Sequence, residues 1–517
     1  MARSRLRRAV ALLAAVILFC AGFLMLKRHV LDAEGMLARS LFIALLGGVI
    51  ASFSGGLAAL AAKCSGGPFW LVVASLPLLV PPETIGLALT CWPMGMAPYS
   101  WHVIVLGHAI SLAPIAALFT AVMLARVDRA QIQMAAISAS SNRVFWRLLF
   151  PIWVQGVATS TLICAMLALT DPSLTLVFGS TESYLASHAL RSALAGLGGN
   201  LAIALLMISL AIALTLLVLH QLGISGLAPA VERDAPRRQP ASALVGSLPA
   251  NDDLSIRSFP LLISLAGKAS AVLLASVVAV CLINGLSRFE VVRGDFLMGL
   301  LVIFLAVVAS AAVSLLIVAF VQSRTVIELC AAASICLLCV CQTLGGLYLS
   351  EKHREPIRIF GRNVFPALVG AGSPGGGVLG IGLAYSSIAL PLSLLSATYL
   401  FAQAGKIRMA ASVSGAGVLR SAATVVRELA GGFFAVVLLI AQLLLTRSAP
   451  AIFVGTVDVS FIHSNLLSAI ESRDLQAAFS TSLVVTAVAA GVLVCSVTLW
   501  QAGKTAWGSL TRRVRTR

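Results

Sequence analysis

The chain has 517 residues, 59% of them hydrophobic and only 11% charged, with a mean hydropathy of +1.01. A water-soluble protein carries roughly 25% charged residues, so too few are present here to cover a water-facing surface. The formal net charge of +17 calls for no nucleic acid, because a basic excess on one side of a membrane sets topology and suits an anionic inner leaflet.

Apolar runs of about 20 residues recur from one end to the other, the length that crosses a hydrocarbon core of roughly 30 Å. The short segments of alternating polarity expected of a spanning barrel are not seen in the sequence. The first run, Val10 to Leu26, follows Arg3, Arg5, Arg7 and Arg8 in the manner of a signal peptide. No small-residue cleavage site precedes Lys27 and Arg28, so it reads as a retained first helix. Further spans are expected at 40–62, 69–91, 101–125, 154–178 and 198–221, then at 260–285, 296–321, 327–349, 377–402, 430–446 and 478–500. The expected fold is an all-α polytopic membrane protein of about twelve transmembrane helices. Between the sixth and seventh lies a polar stretch, 223–259, that carries Pro236, Pro240 and the Asp252-Asp253 run and lacks a helical pattern. It reads as a cytoplasmic linker between two pseudo-symmetric six-helix halves, 1–222 and 260–517.

Lys and Arg in the loops give the orientation. With the N-terminus inside, 23 of the 36 basic residues collect on the cytoplasmic side, which places both termini there. Eight of the ten cysteines lie in apolar spans, where Cys acts as a small hydrophobe. The histidines show no metal-ligand spacing, and no nucleophile–base pattern points to an enzyme.

The halves share sequence. Met134-Ala135-Ala136 recurs as Met409-Ala410-Ala411, and Leu169-Thr170 with Phe178-Gly179 recurs as Leu445-Thr446 with Val454-Gly455, at nearly one offset. Each Met-Ala-Ala opens a cytoplasmic segment, 126–151 or 404–428, between the fourth and fifth spans of its half. A small-residue break follows at Ala139-Ser140 or Gly415-Ala416, and a basic amphipathic helix then leads into the next span. Such a shape suits docking into a groove on a cytoplasmic partner. These segments resemble the coupling signature of permeases of ATP-binding-cassette (ABC) importers: Glu-Ala-Ala, three residues, Gly, nine residues, an aliphatic residue, one residue, Leu-Pro. The second segment keeps Ala410, Ala411, Gly415 and Val425 at the right spacing, with Met409 for Glu, Arg427 for Leu and Glu428 for Pro. The first keeps Ala135, Ala136 and a terminal Pro151 that falls two residues early, with Met134 for Glu and Ser140 for Gly. A second alignment puts Gln133 and Ala139 at the Glu and Gly positions. The stretches starting at Pro77, Leu106 and Leu167 resemble the third, fourth and fifth spans of ferric-iron and thiamine permeases, in which two halves are frequently fused.

The resemblance implies a permease subunit of the bacterial inner membrane, served by two cytoplasmic ABC ATPase subunits and an external solute-binding protein. The chain has no Gly-x-x-x-x-Gly-Lys-Ser/Thr loop, so ATP and Mg would belong to the partner subunits and no cofactor to this chain. The other reading is an ion-gradient-driven secondary transporter of 6+6 topology. Substrate identity stays open among small solutes such as ferric iron or thiamine.

Charges inside spans cost roughly 2.5–3.5 kcal/mol on insertion scales, so Glu83, Asp171, Lys268 and Glu328, with His108, call for an explanation. Glu83 follows Pro81-Pro82, where the helix is expected to break and its freed carbonyls to line protein or water. Asp171 and Arg447 are equivalent in the repeat, near the outer ends of the fifth and eleventh spans. They are expected to face each other as an outer gate or a substrate-facing pair, while Lys268 and Glu328 snorkel. Trp70, Trp92, Trp101, Trp153, Trp500 and Trp507 fall near span ends, as an aromatic belt predicts.

Overall fold

The computed structural model describes residues 2–29, 33–64, 69–91, 100–124, 141–179, 184–188, 261–289, 297–321, 355–359, 362–368, 377–413, 417–447 and 462–515, with a few isolated positions between. The linker 223–259 and nearly all of the expected spans 198–221 and 327–349, with Glu328, lie outside the described residues. So do Met134, Ala135, Ala136 and Ser140.

The described chain is helical apart from one antiparallel ribbon, β1 (Ile357–Ile359) with β2 (Arg362–Phe365). The helices are α1 (Ala2–His29), α2 (Ala33–Cys64), α3 (Phe69–Ser75), α4 (Pro82–Cys91), α5 (Trp101–Leu124), α6 (Phe150–Thr170) and α7 (Ser173–Phe178). They continue as α8 (Leu261–Ser287), α9 (Leu297–Phe320), α10 (Val378–Val413), α11 (Val418–Leu445), α12 (Ile462–Glu471) and α13 (Leu475–Arg515). Among the described residues seven helices are long and apolar enough to cross a membrane, or eight if a bent pair counts as one span. The chain is therefore a multi-pass membrane protein by length and composition.

Two expected boundaries change, and the break expected before Glu83 is present. The span 69–91 is broken: α3 leads through a 3-10 turn, Leu76–Leu79, into α4 at an angle of 94°. Pro77, Pro81 and Pro82 explain this, since each removes a helical donor and restricts the residue before it. The fifth span runs from a π turn at Phe145–Leu149 to Thr170 rather than over 154–178. It ends because Asp171, preceding Pro172, is extended (φ −91°, ψ 110°). The tenth span does not stop near 402. α10 has 36 residues, about 54 Å at 1.5 Å per residue, and overruns the hydrocarbon core.

Two helix triads organise the packing. In the first half α2, α5 and α6 pack mutually; in the second, α9, α10 and α11 do the same. Small residues draw the first triad together, as they do where two apolar helices meet in lipid. A Cβ at Gly55 would run into the Ala113 carbonyl of α5, and one at Gly48 would come within 2.8 Å of the Ala165 nitrogen of α6. Trp153 is part of this packing: it is buried and donates its Nε1–H to the Gly56 carbonyl at 2.9 Å. It staples α6 to α2 and is not a belt anchor.

The halves interlock. α8, the first helix of the second half, packs on α2, α3 and α4 of the first. Its Ser270 hydroxyl donates to the Ser54 carbonyl at 3.0 Å. In return, Met36, Leu37 and Leu185 of the first half are buried in the core built from α9, α10 and α11, against which Phe19 and Phe23 of α1 also pack. Lys268, on α8, sits over the Trp70 ring, 5.7 Å from its centroid.

Candidate functional site

The site begins with two helix ends. α6 stops at Thr170 and α11 at Leu445, and each is followed by a buried charge, Asp171 or Arg447. The equivalence extends to hydrogen bonds. Thr170 Oγ1 donates back to the Met166 carbonyl at 3.0 Å, and Thr446 Oγ1 to the Gln442 carbonyl at 3.2 Å. These are the same bonds at the 276-residue separation of Asp171 and Arg447. Beyond them, Phe178 and Val454 are both buried.

The two charges meet. Arg447 Nη1 donates to Asp171 Oδ2 across the interface between the halves, and the side chains are 5% and 0% exposed. An isolated charge in such a place would be untenable; the pair keeps the region neutral. Asp171 Oδ1 separately accepts the Ser173 N–H at 3.0 Å, at the start of α7. Arg447 meets the carboxylate at the other oxygen.

Two further polar groups lie near the pair, and a third lies near one of them. His108 on α5 is fully buried and within electrostatic reach of both Asp171 and Arg447. Neither of its ring nitrogens has a hydrogen-bond partner among the described residues. Tyr385 on α10 is buried and donates its hydroxyl to the Arg447 carbonyl at 3.1 Å. Glu83 lies in the first turn of α4, fully buried and within electrostatic reach of Tyr385. At the start of a helix its carboxylate also meets the positive end of the dipole.

Tyr385 is the residue that sequence reading missed. Its signal was the proline. α5 and α10 each contain one, Pro114 and Pro391, and His108 and Tyr385 each stand six residues before it. His108 and Tyr385 thus hold matching places on the fourth spans, as Asp171 and Arg447 do at the ends of the fifth.

The second cytoplasmic elbow forms a separate region. α10 runs to Val413, and the chain turns at Gly415 (φ +76°), a left-handed conformation that glycine adopts without strain. α11 restarts at Val418. Met409, Val413, Val418 and Leu419 are 71%, 85%, 64% and 75% exposed, an apolar group gathered around one turn. Ala410 and Ala411 lie in the last turns of α10. Val425, at the aliphatic position of the signature, is fully buried in a cluster with Ala311, Val318 and Ala397. Of the first elbow the structure describes Val127 and the residues from Ser141 onward, and its Pro151 is exposed at the start of α6.

No family model, curated protein or solved structure matches the chain.

Proposed function

We propose that this chain is the membrane subunit of an ATP-driven importer of the ABC permease type, two fused halves around one solute path. The observation that carries the reading is the second elbow. A helix of 36 residues, a glycine turn and a restarted helix leave four large apolar side chains exposed, on the face that this reading makes cytoplasmic. Exposed apolar groups gathered in one place mark a surface that another protein covers. Val425 links that surface to α9 and α10, so force applied at the elbow reaches the second triad directly. By the repeat, the segment 126–151 does the same for the first triad. Two cytoplasmic ATPase subunits, holding ATP and Mg, dock one per elbow, and an external binding protein delivers the solute. The Asp171–Arg447 pair closes the outer end, and its opening belongs to the outward-facing state.

A secondary transporter would use a buried carboxylate for ion coupling, and Glu83 is the residue that favours that reading. The energy source separates the two. In cells or vesicles, uptake should stop on ATP depletion and persist when an uncoupler collapses the ion gradients. The opposite pattern would remove the ABC reading.

A further inference from the structure

We propose that Asp171 and Arg447 together form the binding site for a zwitterionic solute, one that carries both a carboxylate and an ammonium-type group. The proposal rests on the reading of the chain as the subunit that lines the solute path.

Geometry supplies the first argument. A guanidinium presents a planar fork that pairs with both oxygens of a carboxylate. Arg447 meets Asp171 through Oδ2 alone, while Oδ1 accepts the Ser173 N–H. An incoming carboxylate with no such backbone contact can face the fork with both oxygens, two contacts where the internal carboxylate makes one. His108, buried beside the pair with both nitrogens unpartnered among the described residues, supplies a further ring N–H to the same oxyanion. Tyr385 is a positioning residue: its hydroxyl holds the Arg447 carbonyl and fixes the backbone from which the arginine projects.

Charge balance supplies the second. The empty pair is neutral and buried. A simple anion on Arg447 would strand the Asp171 carboxylate, and a simple cation on Asp171 would strand the guanidinium; either uncompensated charge is costly in a low-dielectric site. A solute bearing both charges inserts between the two and leaves each of the four groups paired. In the empty site the two side chains serve as each other's ligand.

Chemical rescue of the purified full-length chain tests this. Asp171→Ala leaves the cationic half-site and Arg447→Ala the anionic one. Acetate at about 100 mM should raise the melting temperature of Asp171→Ala by about 3 °C, and methylammonium should do the same for Arg447→Ala. Crossed additions and matched sodium chloride should do neither, and His108→Ala in the Asp171→Ala background should diminish the acetate effect. Where the alanine variants do not fold, Asp171→Ser and Arg447→Ser vacate the same space, keep a hydroxyl for the neighbouring polar groups, and carry the same comparison. Indifference of either variant to its matching ion, or equal response to both ions, would overturn the proposal. If rescue holds while uptake proves independent of ATP, the transport reading fails and the site stands. If ATP dependence holds without rescue, only the solute class falls.

Discussion

Removing one member of the Asp171–Arg447 pair leaves the other charge buried, a change that costs roughly 3–5 kcal/mol in buried ion pairs. Asp171→Asn and Arg447→Gln should each lower the melting temperature of the detergent-solubilised chain markedly. The double substitution should cost less than the sum of the singles, and charge exchange, Asp171→Arg with Arg447→Asp, should recover part of the loss. Strict additivity would mean that the pair contributes no coupling. His463, on α12 outside the spans, is a second test. Burial pulls its imidazole from the ordinary 6.5 to about 4, so the folded chain binds fewer protons than the unfolded chain between those values. Stability is then full above pH 6.5 and falls as pH drops toward 4. His463→Gln should flatten that acid limb in a melting-temperature series; an unchanged slope would refute the assignment. The pairing of 171 with 447 was legible because the repeat places both after a Leu-Thr at a helix end. Tyr385 was not, since its equivalence with His108 emerges only once Pro114 and Pro391 are seen to occupy matching places in packed helices. Trp153 was misread for a related reason: hydropathy places an indole near a span end but does not say whether it meets lipid or the Gly56 carbonyl.

At the scale of the element, hydropathy located the cores of the seven spans and one bent pair seen among the described residues and missed where helices begin and end. Apolar sequence continues to Phe178, yet backbone sterics at Asp171-Pro172 end α6 at Thr170. Conversely, polarity rises after 402 while helix-forming residues carry α10 to Val413. The close contact of α2 with α5 depends on Gly55. Gly55→Val would push its side chain into the Ala113 carbonyl and should cost about 2 kcal/mol, read as a lowered melting temperature. At the elbow, exposure predicts a different outcome. Leu419→Asp sits on a 75% exposed position, so its effect on stability should stay within about 0.5 kcal/mol, while association with the ATPase should be lost. A Leu419→Asp chain that still holds the ATPase would show that this face is not the docking surface.

For the whole molecule, the two triads and the exchange of helices between them make the halves mutually dependent. α8 buries Ala271, Leu274, Val277 and Val278 against the first half, and Met36 and Leu37 enter the core of the second. Expressed separately, 1–222 and 260–517 should each fail to accumulate, and expressed together they should co-purify; stable accumulation of either alone would argue for independent domains. On the proposed two-half arrangement, with one docking elbow per half, the chain should hold two motors. Native mass spectrometry of the complex extracted from its own membrane measures this directly. One 53.7 kDa chain should fly with two copies of an ATPase subunit. A chain that flies without any ATPase, or always with a single copy, would contradict it.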